Sequence, residues 1–235
     1  MFDSRIRPFN SLAFSDGPIS YALPPAALSR RLRRVQPRFA KRLEDVTIAL
    51  LCLGLFALPM VAVAILVRLT SNGPALYAQE RVGQYGRRFR MLKFRTMREC
   101  DPSGIPPRQA TRDDPRVTPI GRLLRRTSFD EFPQFFNVLA GSMSIVGPRP
   151  HAPGTCAGGR PFETITHRYA ARHSVKPGMT GLAQVRGWRG ETDTEEKLLR
   201  RVDSDLEYIA TWSIAGDALI ICRTIIAVLC MRNAW

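Results

Sequence analysis

The cysteines of this 235-residue sequence lack any CxxC spacing, so the sequence contains no paired motif for zinc or for a disulfide framework. Two of them lie in strongly apolar runs, where a thiol behaves as a small hydrophobic group. The five are Cys52, Cys100, Cys156, Cys222 and Cys230. This usage predicts a reducing, cytoplasmic setting without zinc or disulfides.

Acidic residues are scarce: 20 Asp and Glu stand against 35 Lys and Arg, and no acid lies between Gly17 and Leu43. The net charge of +15 predicts an anionic partner, which is nucleic acid, a phosphorylated small molecule or an anionic membrane leaflet. No motif of a nucleic-acid-binding fold occurs, and the densest basic cluster, residues 30–42, directly precedes an apolar run. We therefore expect no nucleic-acid partner.

The apolar run Val46–Val67 is the strongest membrane signal. As one straight helix its 22 residues would measure about 33 Å, enough to cross a hydrocarbon core of about 30 Å. Two features oppose a crossing. Pro59 is expected to kink the helix into halves too short to span, and basic residues flank both ends, from residue 30 to 42 and from 68 to 98. A re-entrant helix is favoured, and a kinked spanning helix stays open.

Downstream, two short runs flank Gly83–Gly86 and predict a β-hairpin. Lys93 and Arg95 would share one face of its second strand, as a basic pair or as part of an ordinary half-exposed strand. Further on, prolines on both sides of Arg149 fix its backbone, which suits a bidentate contact with phosphate.

Two C-terminal segments are predicted to be helical. The first has a capping box at Thr192 and Glu195, with Asp205 at the edge of its buried stripe. The stripe consists of Leu198, Val202, Leu206 and Ile209. The second segment, residues 214–230, is apolar but too short and interrupted to span, so we expect it to lie in the membrane interface.

Asp130 and Glu131 stand side by side in the stretch RRTSFDEFPQFFNVLAG. Ser128 and Glu131 have capping-box spacing, so a helix is expected to start between Ser128 and Phe132, and capping is the ordinary role of such a pair. The basic surroundings add a second interpretation. A carboxylate about 4 Å from a phosphate is repelled by about 4 kcal/mol at an effective dielectric of 20, about three decades in rate. Cations must therefore accompany any attack on a diphosphate.

A divalent metal could supply that charge, together with basic side chains near the pair: Lys93, Arg95, Arg125 and Arg149. One carboxylate would then be the nucleophile and its neighbour a metal ligand, while the expected helix N-terminus would keep a carboxylate ionised.

An ordered series of motifs now points to a family. The sequence resembles the bacterial sugar transferases, the monotopic polyprenyl-phosphate phosphoglycosyl transferases. Four segments carry the resemblance: LYAQERVG, MLKFRTM, DDPRVTPIGRLLRRTSFDEFPQFFNVLAGSMSIVGPRPHA and RHSVKPGMTGLAQV. The resemblance runs from about Lys41 to the C-terminus. GWRGETDT is similar to the undecaprenyl-phosphate glucose phosphotransferases of exopolysaccharide assembly.

The resemblance implies transfer of a sugar 1-phosphate from a UDP-sugar to undecaprenyl phosphate, with release of UMP and with Mg²⁺ as cofactor. It makes Asp130 the nucleophile, through a phosphosugar-aspartyl intermediate, and Glu131 the Mg²⁺ ligand. It also places a further set in or near the site: Lys93, Arg125, Arg149, Asp205 and Asp217. The sugar is expected to be glucose, with galactose or another UDP-sugar as the alternative, and a homodimer stays open.

We thus expect an α+β, mostly helical monotopic membrane protein with a re-entrant N-terminal helix, a small β-hairpin and interfacial amphipathic helices. Residues 1–40 form a basic, disordered arm, 41–70 the membrane helix, and 71–235 a cytosolic, membrane-associated catalytic domain among the inner-membrane lipids. A non-catalytic protein of the membrane surface is the alternative from another class.

The sequence departs from the family pattern at several positions. Leu58 replaces the serine that usually precedes the helix-breaking proline, and Ser142 replaces an aspartate. Phe129 and Phe132 replace leucines, which is a conservative change.

Overall fold

The computed structural model describes residues 38–98, 114–188, 190 and 192–230, so nearly all of the arm expected at residues 1–40 lies outside it. The α-helices are α1 Arg38–Thr70, α2 Pro119–Thr127, α3 Gln134–Leu139, α4 Phe162–Ile165, α5 Leu182–Val185, α6 Glu195–Thr211 and α7 Ile214–Leu229. The strands are β1 Leu76–Val82, β2 Arg88–Phe94, β3 Ser144–Val146, β4 Cys156–Ala157, β5 Arg160–Pro161 and β6 Gly178–Thr180. The fold is α+β and mostly helical, as predicted.

The predicted β-hairpin is confirmed. β1 pairs antiparallel with β2, from Leu76 opposite Phe94 to Val82 opposite Arg88. Asn137 of α3 fixes this hairpin to the domain, because its side chain accepts from the Leu92 N–H at 2.9 Å and donates to the Arg90 carbonyl at 2.8 Å. The next residue on the strand, Lys93, is thereby held over the turn that precedes α3.

A parallel pair of short strands, β3 with β6, was not predicted, since KPGMTG reads as turns. Ser144 lies opposite Gly178, and the backbones come very close: a Cβ added at Gly178 would lie 2.1 Å from the Gly147 nitrogen. Only glycine permits this approach. It anchors the start of the proline-flanked loop that carries Arg149.

Helix α1 continues through Pro59 without an interruption of its helical backbone, and the kink expected at this proline stays a prediction. Residues on both sides of the proline are supported by the rest of the chain: Phe56 packs edge-on against Phe132, and Met60 is buried with Phe94. These contacts stabilise the helix where Pro59 removes a backbone hydrogen bond.

Both ends of α1 contact the same domain. Near its start, the Asp45 carboxylate accepts from the Ser144 hydroxyl at 2.9 Å and from the Ile145 N–H at 3.0 Å. Near its end, the fully buried Val67 packs with Phe94 and Leu124. The helix has 33 residues, about 50 Å if straight, and thus contacts the domain near both of its ends.

The opposite face of α1 is apolar and exposed, with Leu51, Leu55 and Leu58 between 68% and 83% accessible. Of the described residues, this helix alone is long and apolar enough to cross a membrane by length and composition. A helix docked at both ends on one domain, with an exposed apolar face, fits a monotopic membrane protein.

The predicted stripe of α6 is buried as expected, with Leu198 and Val202 at 0% and 1% exposure. Its cap is Thr194, whose hydroxyl accepts from the Lys197 N–H, so the capping box predicted at Thr192 is wrong. The last helix, α7, exposes an apolar face, and its position in a membrane interface stays a prediction. That face consists of Ile214, Leu219, Ile225, Ile226 and Leu229.

Candidate active site

Asp130 and Glu131 lie in a single 3-10 turn, Phe129–Glu131, between α2 and α3. Ser128 adopts a left-handed conformation with φ of 58°, which ends α2 and reverses the chain. Its side chain makes no capping hydrogen bond, and α3 begins only at Gln134. The capping predicted for the Ser128 side chain is therefore wrong, whereas a helix does start in the predicted interval, as a 3-10 helix at Phe129 with both acids in its first turn.

Aromatic rings beside the dyad join it to α1. The rings of Phe129 and Phe132 stack with centroids 4.1 Å apart, and Phe56 of α1 packs edge-on against both, at 6.2 and 4.9 Å. The two phenylalanines that replace family leucines thus form the contact with α1. The dyad is consequently linked through these rings to the domain-facing side of α1.

Two of the predicted cations, Lys93 and Arg149, contact Glu131. The Lys93 ammonium lies 2.9 Å from Glu131 Oε1, and Arg149 donates through Nη2 to Oε1 at 2.5 Å and through Nη1 to Oε2 at 3.2 Å. The arginine contact is a two-pronged charge-assisted pair, the geometry with which arginine also binds phosphates. The same two cations also act on the charge of Asp130.

Asp130 is only 7% exposed. Burial raises the pKa of this carboxyl to about 6; the charge of Lys93 opposes the rise, the charge of Glu131 adds to it, and Arg125 and Arg149 oppose it. At neutral pH the group is mostly ionised, as a nucleophile must be. The charges of Lys93, Arg125 and Arg149 favour its ionised form.

Arg125 reaches the site from the last turn of α2. That helix lies directly on the end of the hairpin, because Gly121 leaves room where an added Cβ would be 2.0 Å from the Thr96 carbonyl oxygen. One turn later, Arg125 Nε donates to the Thr96 hydroxyl at 2.8 Å. Burial lowers the pKa of the Arg125 guanidinium, and the charge of Asp130 acts in the opposite direction.

Arg95 does not join the dyad. The strand ends at Phe94, so the alternation that paired Lys93 with Arg95 stops one residue too early. The buried Arg95 guanidinium donates to the Ser71 carbonyl at 2.7 Å and to the Asn72 carbonyl. It satisfies backbone acceptors just after α1 and holds that end on the hairpin.

Asp217 also has partners other than the dyad. Its carboxylate is fully buried, 2.6 Å from the Lys41 ammonium and 3.0 Å from the Trp212 indole nitrogen. Lys41 additionally lies 3.1 Å from Asp45. The cluster joins the start of α1 to α7, so in this structure Asp217 helps to hold the two helices together.

Asp205 lies behind the site, in a wholly buried pair with Arg172. Arg172 Nε and Nη2 are 2.9 and 2.7 Å from Asp205 Oδ2, and the Arg172 side chain is 1% exposed. Arg172 also contacts Nδ1 of His151 at 2.8 Å. Sequence reasoning assigned no role to Arg172 or His151, although both lie in the motifs RHSVKPG and GPRPH; nothing in those motifs marks them as contacting each other.

Comparisons with known proteins identify the family of the chain. Residues 36–231 match the sequence model of the family described as "Bacterial sugar transferase". The chain belongs to the bacterial sugar transferase family. The resemblance drawn from its motifs is confirmed.

Among relatives of this sugar transferase, the UDP-glucose:undecaprenyl-phosphate glucose-1-phosphate transferase of Escherichia coli (strain K12) is 48% identical over 188 residues, 80% of this chain and 40% of that protein. An identically named protein of Caulobacter vibrioides is 46% identical over 204 residues, 87% of this chain and 75% of that protein. The galactosyl transferase CpsE of Streptococcus agalactiae is 40% identical over 201 residues, 81% of this chain and 42% of that protein. The chain thus spans about two fifths of the Escherichia coli relative.

Proposed function

We propose that this sugar transferase moves glucose 1-phosphate from UDP-glucose to undecaprenyl phosphate and releases UMP. The observation that carries the proposal is a buried carboxylate, Asp130, which has a pKa of about 6 and lies among cations beside an apolar membrane helix. A water-soluble diphosphate and a lipid phosphate can meet only at such a boundary. The names of the relatives at 46% and 48% identity support glucose, and a galactosyl relative keeps another UDP-sugar as the alternative.

In the proposed first step, an Asp130 oxygen forms a bond to the β-phosphorus of the UDP-sugar. The bond from that phosphorus to the bridging oxygen breaks, and UMP leaves with the electron pair. An oxygen of undecaprenyl phosphate then attacks the same phosphorus and breaks its bond to Asp130, which restores the carboxylate. No proton transfer is needed for the balance of either step.

Arg149 and Lys93 have the positions to neutralise phosphate oxygens during both steps. Each contacts Glu131, at 2.5 and 2.9 Å, and each also acts on the charge of Asp130. Arg125 adds a third positive charge from the α2 side. Cations placed in advance of the reaction need no reorganisation when charge shifts, which is the main source of electrostatic catalysis.

Mg²⁺ is proposed as cofactor, and the residues present fit it. The part of the chain described by the structure has no group of three or more His, Cys, Asp or Glu arranged for a metal ion. Mg²⁺ is commonly held by one or two carboxylates plus substrate phosphates and waters, so Glu131, with Asp130 beside it, is a sufficient protein contribution. When bound, the ion would neutralise charge on the diphosphate.

The proposed location is the cytoplasmic face of the bacterial inner membrane, with both ends of α1 on that face and its exposed apolar side in the lipid. Two observations support it. Basic residues flank both ends of the apolar run, and both ends of α1 contact one domain through Asp45 and Val67.

The experiment that tests the function measures UMP release by the full chain in liposomes that contain undecaprenyl phosphate. UDP-glucose, UDP-galactose and two N-acetylated UDP-sugars are compared. We expect turnover with UDP-glucose that is abolished in Asp130→Asn and by excess chelator, and retained in Asp203→Asn, a matched change of an exposed acid. Undiminished release in Asp130→Asn rejects this nucleophile, and folded wild-type protein inactive with every sugar supports the non-catalytic alternative.

A further inference from the structure

The loop Pro148–Pro150 presents Arg149 to Glu131 and needs support from outside. Pro148 and Pro150 have no N–H groups, so this segment can be held mainly through its carbonyl oxygens. All three accept hydrogen bonds from other segments. Pro148 accepts from the Gly178 N–H at 3.0 Å, Arg149 from Arg172 Nη2 at 2.8 Å, and Pro150 from Arg81 Nη1 at 3.3 Å.

The central hydrogen bond is donated by Arg172 to the carbonyl of Arg149, and Arg149 is the residue of this loop that contacts the dyad. This bond fixes the peptide plane that follows the Arg149 Cα, while the preceding Pro148 restricts the chain on the other side. The direction in which the Arg149 side chain leaves the backbone is thereby determined. That side chain ends in the two-pronged contact with Glu131.

Arg172 is itself fixed from behind. Asp205 accepts from both its Nε and its Nη2, and the pair is buried to 1% and 2% exposure. His151 Nδ1 lies 2.8 Å from Nη1 of Arg172. Burial and the charges of Arg172 and Arg201 lower the pKa of His151 well below its usual value, so the imidazole is neutral beside the guanidinium. A buried ion pair contributes little net stability compared with apolar residues of similar volume, but it fixes geometry.

We propose that Arg172, held by Asp205, is a positioning residue for Arg149 and thereby sets the charge arrangement at Asp130 and Glu131. The inference rests on the proposed function, because its consequence is a rate of phosphosugar transfer. Arg172 acts through the backbone of Arg149 and does not touch the substrate. Its removal is therefore expected to affect turnover more than the apparent affinity for the UDP-sugar.

The first test is the pair replacement Arg172→Met/Asp205→Leu in the full chain. Since the two charges that pair with each other are removed together, and the repulsion of Arg201 by Arg172 is lost along with its attraction to Asp205, the melting temperature should stay within a few degrees of wild type. We expect kcat to fall by about 100-fold, the usual cost of misplacing a catalytic group by about 1 Å, with KM changed by less than about threefold. The matched control is Arg186→Met/Glu207→Leu, which removes an exposed pair that is likewise joined by two hydrogen bonds and should leave kcat near wild type.

The second test is a double-mutant cycle with Arg149→Ala. If Arg172 acts only through Arg149, the pair replacement should lower kcat by less than about threefold once Arg149 is absent. The same 100-fold loss in that background would overturn the proposal, and so would an unchanged kcat in the pair variant.

If the pair variant does not fold, the variant Arg172→Lys tests the proposal instead. Lysine keeps a positive charge next to Asp205 but cannot donate to all of the acceptors that the guanidinium contacts. A folded Arg172→Lys variant with wild-type kcat refutes positioning, and one with reduced kcat and preserved KM supports it. A wild-type chain without turnover refutes instead the proposed function, so the two failures are distinguishable.

Discussion

Replacing the proposed nucleophile should stabilise the fold, and the size of the gain follows from its pKa. The pKa of Asp130 is raised from 3.8 to about 6. This difference of about 2 units corresponds to at most about 3 kcal/mol between the protonated and ionised forms. The folded state therefore loses stability as the pH rises from below 4 through about 6, because ionised Asp130 is less favourable inside the protein than in the unfolded chain.

Asp130→Asn removes that penalty. At pH 8 the variant should exceed wild type in free energy of unfolding by up to about 3 kcal/mol, and the gain should vanish below about pH 4, where the wild-type carboxyl is protonated in both states. For a chain of this size, 3 kcal/mol corresponds to a melting temperature higher by about 6 to 12 °C. The same substitution abolishes turnover, so activity and stability should change in opposite directions.

The assay is thermal unfolding of purified protein in detergent, with chelator present so that no bound metal contributes, at pH values from 4 to 8. Asp203→Asn is the control, since Asp203 is exposed and its pair with Arg168 lies on the surface; its melting temperature should change little at every pH. The claim that burial makes ionised Asp130 unfavourable would be refuted if Asp130→Asn were less stable than wild type at pH 8. It would also be refuted if the gain in free energy of unfolding were the same at pH 4.

Two further predictions concern charges around the site and the membrane helix. Lys93→Met removes the largest influence that lowers the pKa of Asp130, so the acidic limb of the pH–rate profile should move upward by about one unit; a limb that stays in place or moves down would contradict the assignment. Lys41→Met leaves the buried carboxylates of Asp45 and Asp217 without their shared cation and should destabilise the fold by about 3 to 5 kcal/mol in thermal unfolding, whereas Arg200→Met, at an exposed pair, should cost less than about 1 kcal/mol. Equal effects of the two substitutions would show that the cluster does not dock α1.

The parts of the site that were predictable from sequence are those set by short-range chemistry. Adjacent carboxylates in a basic chain indicated the dyad, and prolines around Arg149 indicated a fixed cation; the structure brings both together with Lys93. The hairpin followed from its alternation and its glycine turn. These features depend on residues close together in sequence.

The expectations that proved wrong depend on where a local element ends. A capping box at Ser128 required its side chain to cap the helix that starts there, but the left-handed serine makes no capping hydrogen bond. Arg95 was paired with Lys93 by strand alternation, which ends at Phe94. Boundaries of one residue thus decided whether a charged side chain joined the dyad.

The supporting network could not be predicted because it is long-range. Arg172 and Asp205 are 33 residues apart, and Lys41 and Asp217 are 176 apart. Nothing in a single sequence indicates which buried arginine pairs with which acid. Only the fold shows that the first pair lies behind Arg149 and the second at the start of α1.

The most direct test of the central claim is the identity of the covalent intermediate. Full-length protein in liposomes without undecaprenyl phosphate is mixed with UDP-glucose, quenched, digested and analysed by mass spectrometry. We expect the mass of a hexose phosphate on the peptide that contains Asp130, absent from Asp130→Asn and lost on addition of undecaprenyl phosphate. The same modification on another side chain, or turnover with none on any peptide, would contradict it.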